Sequence, residues 1–303
     1  MDAISKALDA IRREMPGLGC RTDEPMSEHT SFEIGGRVRA MYFPSSADEL
    51  ALLHDALRSF EIRTLILGNG TNMLVNDGNL DIAAIKMTGL DKMEISGAEE
   101  ITAEAGAPLS RLAGFALENG LSGLEFAYGI PGSLGGAVSM NAGAYGSEMK
   151  DVVVRTTAFS PGSGVFAATG EEHGFSYRRS RFTDTRDIAL SSVIKLRRGD
   201  ETGIRAKMDE LISNRRESQP WDKPSAGSTF KRPGRGYAAA LIEQAGLKGF
   251  AVGGAQVSPK HAGFVINRGG ATFDDVMMLI DCIIEKVFTL TGIELEPEVR
   301  VIR

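Results

Sequence analysis

Apolar residues recur along this chain with two periods, one helical and one of strand type. Ile4, Leu8 and Ile11 predict a short amphipathic helix over residues 2–15, stopped by Pro16-Gly17. Ser46 predicts the cap of a second helix, Glu49 completes a capping box, and Leu50, Leu53, Leu57 and Phe60 form its buried stripe. Pro108 opens a third helix carrying Leu109, Leu112, Ala116 and Leu117, and Gly120 closes it. Further helices are predicted over about 202–216, over 237–245, and from Thr272 to Gly292 with Val276, Leu279, Ile280, Ile283 and Val287 inward. Strands are predicted at 40–44, 63–67, 82–87, 100–105, 152–159, 187–197, 254–258 and 263–267, and in the closing ELEPEVRVIR. Residues 29–37 read as a loop and short strand broken by Gly35-Gly36, and 217–233 as a loop.

Two glycine-rich stretches interrupt this pattern. Residues 128–146 read YGIPGSLGGAVSMNAGAYG. Glycine at this density argues against a packed helix or a central strand, because it loses the most backbone freedom and buries no side chain. Its use is bare backbone whose N–H groups turn toward an anion. A flexible linker is the alternative, but linkers are polar, and this stretch carries Ile130, Leu134, Val138 and Met140. The predicted strand at 63–67 runs straight into Gly68-Asn69-Gly70-Thr71-Asn72, a second place where backbone amides converge. Neither stretch has the strand, G-x-G-x-x-G, helix order with a later acidic residue, so a Rossmann domain is not indicated.

The 303 residues are 42% hydrophobic, enough for two or three compact domains. Gly199-Asp200 is the expected boundary, separating residues 1–200 from a smaller α+β domain over 201–303. The net charge of −6 argues against general nucleic-acid binding, with basic residues clustered only near Arg178 and Arg215. Cys20 and Cys282 make neither a disulfide framework nor a metal cluster, so no metal site is expected. With no signal-peptide pattern and no apolar run of membrane-spanning length, a soluble cytoplasmic protein is expected.

Six stretches in order carry a resemblance: LGNGTNMLV, GIPGSLGGAVSMNAGAYG, YRRSRF, PSAGSTFKRP, GGAQVSPKHAGFVIN and EPEVR. Together they resemble the UDP-N-acetylenolpyruvoylglucosamine reductase (MurB) family over nearly the whole chain. The resemblance implies an α+β protein with an FAD-binding domain of the PCMH or vanillyl-alcohol-oxidase type. That domain would have two α/β subdomains split near 90–100, with the last strand, 297–303, packing back on it and a C-terminal substrate domain beyond. It implies non-covalent FAD, NADPH as hydride donor, and UDP-N-acetylglucosamine enolpyruvate as substrate; separately from the resemblance, a monomer is expected. Between Ser180 and Arg216 there is no room for the family's tyrosine-bearing insertion, so the chain resembles the shorter, second form.

The same resemblance assigns residues. Arg178, in YRRSRF, matches the arginine that stabilises charge on the substrate carboxylate, a task suited to a planar, always-charged guanidinium. Ser228, in AGSTFK, matches the proton donor; read alone, a serine there is a turn residue. Glu298, in EPEVR, matches the catalytic glutamate; read alone, it is an edge-strand carboxylate like Glu294 and Glu296. The expected FAD contacts are Gly68, Asn69, Gly70, Thr71, Asn72, Met73, Gly129, Ile130, Pro131, Gly132, Gly135, Gly136, Ala137 and Asn141. Tyr145 and Tyr177 are expected near the substrate. Arg215, Arg216 and Gln219 sit where a diphosphate would be gripped, or at a solvated helix end, and Lys260 and His261 are weaker candidates for sugar or uracil contacts. His29 and His173 read as structural or exposed. Competing readings are a related flavin-dependent alcohol oxidase, or a flavin module without catalysis.

Overall fold

The computed structural model describes residues 2–303, and it forms two compact units. The first comprises residues 2–23, 39–69 and 81–213; the second comprises Glu24–Val38, Gly70–Leu80 and Asn214–Arg303. This division departs from the expected single cut at residue 200. The chain enters the second unit twice before position 200. The helix Glu201–Ser218 buries Ile204 and Met208 in a core of the first unit.

The first unit contains two sheets. One has the strand order Gly19–Pro25, Arg37–Phe43, Leu80–Lys86, Thr64–Leu67. The helices Ala3–Glu14 and Ala47–Ser59 cover it with Ala7, Ile11, Leu50, Leu53 and Leu57. Each starts on the cap its sequence offers: Ser5 N–H donates to Asp2, and Glu49 N–H to Ser46. The Glu49 carboxylate accepts from Ser45 N–H at 2.7 Å, so the expected capping box closes one residue early.

The second sheet is antiparallel, in the order Gly164–Thr169, Val153–Ser160, Ile188–Lys195, Glu100–Glu104, Met93–Gly97. Its two edge strands, absent from the sequence-based expectation, expose three of five residues in Met93–Gly97 and three of six in Gly164–Thr169. The helix Leu109–Glu118 packs here with Leu109 and Leu112 fully buried, each worth about 1.5–3 kcal/mol of burial. The glycine-rich stretch is corrected in part: Leu134–Ser139 is a short helix, buried through Leu134, Ala137 and Val138. Its glycines permit close approach. A Cβ on Gly135 would stand 2.8 Å from Ala105 Cβ.

In the second unit an antiparallel sheet runs Ser225–Ser228, Phe264–Asn267, Ala255–Val257, Ala251–Val252. The first of these strands lies in the stretch expected to be a loop. The helix Phe273–Thr291 contributes Val276, Leu279, Ile280, Ile283 and Val287 to this unit's core. Thr272 and Asp275 form its capping box, and Gly292, at φ +69°, ends it. The final strand, Arg300–Ile302, pairs in parallel with Met73–Val75, residues that precede position 200 yet belong to this unit. Among the described residues, no helix is long and apolar enough to cross a membrane.

Candidate active site

In the first unit, Gly68 follows the strand Thr64–Leu67 and faces the second glycine-rich turn. A Cβ on Gly68 would lie 2.2 Å from Ser133 Oγ, a buried hydroxyl. The two turns therefore meet through atoms that any side chain would displace. Two abutting turns of bare backbone suit the pyrophosphate of a dinucleotide cofactor, and the residues present fit FAD on this ground.

Not every expected donor serves. Pro131 has no N–H. Ile130 N–H donates to Ala127, Gly135 N–H to Ala105 at 2.8 Å and Ala137 N–H to Ser133. These three shape the turn and seat the short helix, and their amides are engaged within the protein. Gly132 contributes its carbonyl, which accepts from Leu109 N–H. Gly129 lies in the loop before it, and Gly136 lies within the helix. On the other turn, Asn69 follows Gly68, and Gly70 adopts φ +64° with a Cβ position only 2.1 Å from the His29 carbonyl oxygen. Thr71 and Asn72 lead into Met73, the buried first residue of its strand. His29 itself is no exposed histidine: Nε2 lies 2.8 Å from the Glu24 carboxylate, and both side chains are nearly buried.

Three non-glycine residues with left-handed backbone lie in the two motif segments of this unit: Asn141 (φ +41°), Tyr145 (φ +55°) and Arg178 (φ +55°). Each costs on the order of 1–2 kcal/mol relative to glycine. Tyr145 and Gly146 are the central pair of a two-residue hairpin, both with positive φ, as type I′ turns require. The Tyr145 hydroxyl donates to the Leu211 carbonyl at 2.9 Å, leaving the ring half exposed. Ser176 and Arg179 close a second two-residue turn by reciprocal backbone bonds of 3.0 and 3.2 Å, with Tyr177 and Arg178 at its tip and positive φ at Arg178 but not at Tyr177. Arg178 Nη2 donates to the Gly143 carbonyl at 3.1 Å, and its guanidinium lies 5.3 Å from the Tyr177 ring centroid. Ser180, fully buried, donates to the Ser139 carbonyl at 2.8 Å, so the YRRSRF segment is tied to the glycine-rich one. Asn141 departs from the expected flavin contact. It is fully buried, donating to Ser176 O at 3.0 Å and accepting from Lys150 N–H at 2.9 Å.

His173 is buried in a polar chain behind this turn. Nδ1 lies 3.1 Å from the Gly170 carbonyl, which only accepts, so Nδ1 carries the proton. Nε2 then accepts from Thr156, whose hydroxyl lies 3.0 Å from Ser192. Burial lowers the pKa of His173 and keeps the ring neutral.

In the second unit, Ser228 is exposed at the end of its strand. A bulge between Ser225 and Ser228, with Gly227 at φ +77°, sets its direction. The next residues pair antiparallel with the C-terminal segment. Glu298 N–H donates to Thr229 O at 2.8 Å, Lys231 N–H to Glu296 O at 2.9 Å, and Phe230 bridges Pro297. Glu298 is half buried, and its carbonyl accepts from Asn72 Nδ2 at 3.2 Å. Asn72 O accepts in turn from Arg300 N–H at 3.1 Å. The structure thus brings Ser228 and Glu298 onto neighbouring segments and gives Asn72 a part in holding Glu298. Thr229 is a supporting residue that sequence reasoning missed. Its hydroxyl accepts from Val265 N–H, and no motif marks that role.

Arg215, Arg216 and Gln219 gather at one helix end, where Gln219 N–H donates to the Arg215 carbonyl. Lys260 Nζ donates to the Arg216 carbonyl, which caps that end, and Arg216 lies over the Trp221 ring. His261 stands apart in role. Its Nδ1 accepts from Gly263 N–H, its ring meets Phe264 edge-on, and burial lowers its pKa.

Comparisons with known proteins agree in direction. Residues 219–302 match the family described as UDP-N-acetylenolpyruvoylglucosamine reductase, C-terminal domain, and residues 38–169 match an FAD binding domain. A UDP-N-acetylenolpyruvoylglucosamine reductase from Caldanaerobacter subterraneus subsp. tengcongensis is 49% identical over 280 residues, 92% of each chain. One from Thermotoga sp. is 44% identical, covering 97% of this chain and 98% of its own. The crystal structure of the Thermus caldophilus enzyme superposes with a TM-score of 0.80 at 31% identity, covering 94% of this chain and 99% of that one.

Proposed function

The chain belongs to the UDP-N-acetylenolpyruvoylglucosamine reductase family, and on that premise we propose how its own residues serve the reaction. It is an FAD-dependent oxidoreductase of peptidoglycan synthesis, with NADPH as the family's hydride donor. Bound FAD supplies a two-electron relay between NADPH and the carbon–carbon double bond of the substrate. The turn Gly68–Met73 and the loop through Gly129, Gly132 and Gly136 would hold it without a covalent bond.

Arg178 binds the carboxylate of UDP-N-acetylglucosamine enolpyruvate. Hydride addition to the far carbon drives negative charge onto the α-carbon and this carboxylate, and the guanidinium stabilises it as it grows. The left-handed turn supports this role, because a strained backbone at a motif residue is maintained where geometry matters. Ser228 Oγ–H gives its proton to the α-carbon. A hydroxyl is a weak acid, but a carbanion-like carbon is a strong base. Glu298 orients the enolpyruvyl group and supports that proton transfer. Tyr145 and Tyr177 flank the substrate, and Arg215, Arg216, Gln219 and Lys260 serve its diphosphate. The enzyme works as a monomer in the cytoplasm.

The observation that carries this reading is the antiparallel pairing of residues 229–231 with 296–298, which keys Ser228 to Glu298. Single-turnover kinetics of Ser228→Ala test it. The reading expects reoxidation by the enolpyruvyl substrate to fall at least a hundredfold more than reduction by NADPH, within the ~10²–10⁴ range of general acid catalysis. Equal slowing of both half-reactions would remove Ser228 from the proton-donor role.

A further inference from the structure

We propose that Asn141 is a positioning residue for Arg178, acting through the turn that carries it. The inference rests on the reading that Arg178 binds the substrate carboxylate. Ser176 and Arg179 close a two-residue turn, and the second residue at its tip, Arg178, has φ +55°. Turns assign such a position to Gly or Asn, because a Cβ there crowds the backbone. Arginine at this tip therefore carries a backbone cost, which bonds holding the base of the turn offset.

Asn141 is placed to hold it. Its Nδ2 donates to Ser176 O at 3.0 Å, the same carbonyl that accepts from Arg179 N–H across the turn. Its Oδ1 accepts from Lys150 N–H at 2.9 Å, so the amide is fixed at both ends. The side chain is completely buried, where an amide with matched partners is rigid and costly to disturb. Asn141 is itself left-handed, a conformation asparagine tolerates better than most residues. A second anchor follows, since Ser180 donates to Ser139 O, and between the two anchors lies the arginine tip. Arg178 reaches back to Gly143 O, two residues beyond Asn141. The segment holding the turn and the segment receiving the guanidinium are thus one, and Asn141 sets the register between them.

The test uses FAD-loaded enzyme, anaerobic single turnovers, and four proteins: parent, Asn141→Gly, Arg178→Ala and the double variant. Glycine accepts φ +41°, so the first substitution removes the amide without straining the backbone. Asn141→Gly is expected to slow reoxidation by UDP-N-acetylglucosamine enolpyruvate ~10–100-fold more than reduction by NADPH, the cost of misplacing a positioned group by about 1 Å. In the Arg178→Ala background the same change should add less than about twofold, because the residue it positions is gone. Equal slowing in both backgrounds overturns the inference. So does parallel loss of both half-reactions with lowered FAD content, which would make Asn141 a flavin contact. If Arg178→Ala leaves reoxidation intact, the reading of Arg178 fails and the inference falls with it. If only Arg178→Ala slows it, the inference alone fails. Should the glycine variant not fold, Asn141→Asp keeps the acceptor for Lys150 but turns an oxygen toward Ser176 O, and parent-like reoxidation there also refutes the role.

Discussion

Substituting Gly135 by alanine tests how the glycine-rich helix is seated. The new Cβ would lie 2.8 Å from Ala105 Cβ and 3.2 Å from Ala105 O. Carbon atoms in contact prefer about 3.5–4.0 Å, so the helix must retreat by roughly 0.7–1.2 Å. Ala105 is buried, and its Cβ is fixed to the backbone, so no flexible side chain can yield. The retreat also stretches the 2.8 Å bond from Gly135 N–H to Ala105 O. Overpacking of this kind costs about 1–3 kcal/mol. Alanine returns up to about 1 kcal/mol through helix propensity, less in a helix of six residues. The net expectation is a loss of about 1–2 kcal/mol, or roughly 2–8 °C in Tm for a unit of this size. Thermal unfolding with FAD content measured on the same samples is the assay. Ala105→Gly removes the opposing methyl, so the double variant should be less destabilised than the sum of the two single changes by about 1 kcal/mol. A Gly135→Ala protein that melts at or above the parent temperature, or strict additivity with Ala105→Gly, would show that the close approach does not require glycine.

Other outcomes follow from the same geometry. Gly227→Ala meets nothing within 4 Å, so its cost is the backbone strain of φ +77°, about 1–2 kcal/mol; turnover with the enolpyruvyl substrate should fall more than stability, read by comparing kcat with Tm. Asn72→Ala removes the donor to the Glu298 carbonyl and should weaken the enolpyruvyl half-reaction roughly tenfold, checked by single-turnover kinetics. His54, His173 and His261 each have a lowered pKa, first because burial disfavours the charged ring. Unfolded histidine titrates near the usual 6.5 and so binds more protons than the native ring just below that pH. Stability is then full above pH ~6.5 and declines as pH falls toward the lowered native values. Urea unfolding between pH 5 and pH 8 checks this, and His173→Gln should flatten part of the slope.

Much of the fold is legible in the sequence where a single segment determines its own structure. The helix Phe273–Thr291 shows its stripe, its Thr272 cap and its Gly292 stop in one reading frame. The edge strands Met93–Gly97 and Gly164–Thr169 do not: MEISG alternates over only four residues, and GVFAAT puts apolar Val165 and Ala167 on its exposed face. Nor is the interleaving of the two units legible, since Glu24–Val38 and Gly70–Leu80 owe their place to partners far along the chain. At the candidate site, motifs single out Arg178, Ser228 and Glu298 for the roles proposed above, but nothing in YRRSRF announces a left-handed arginine. Asn141 shows the limit most clearly. Its motif points to the cofactor, whereas its hydrogen bonds point to the Arg178 turn. Glycine density likewise signals bare backbone without saying which amides are free, and Gly135 lends its N–H to Ala105.

The proposed function requires bound FAD to relay two electrons from NADPH to the enolpyruvyl double bond. Anaerobic stopped-flow absorbance of the purified enzyme tests it most directly, with NADPH mixed first and UDP-N-acetylglucosamine enolpyruvate second. Bleaching by NADPH followed by full return of the oxidised spectrum is expected. Bleaching that persists after the enolpyruvyl sugar is added would contradict the substrate and the roles given to Arg178, Ser228 and Glu298.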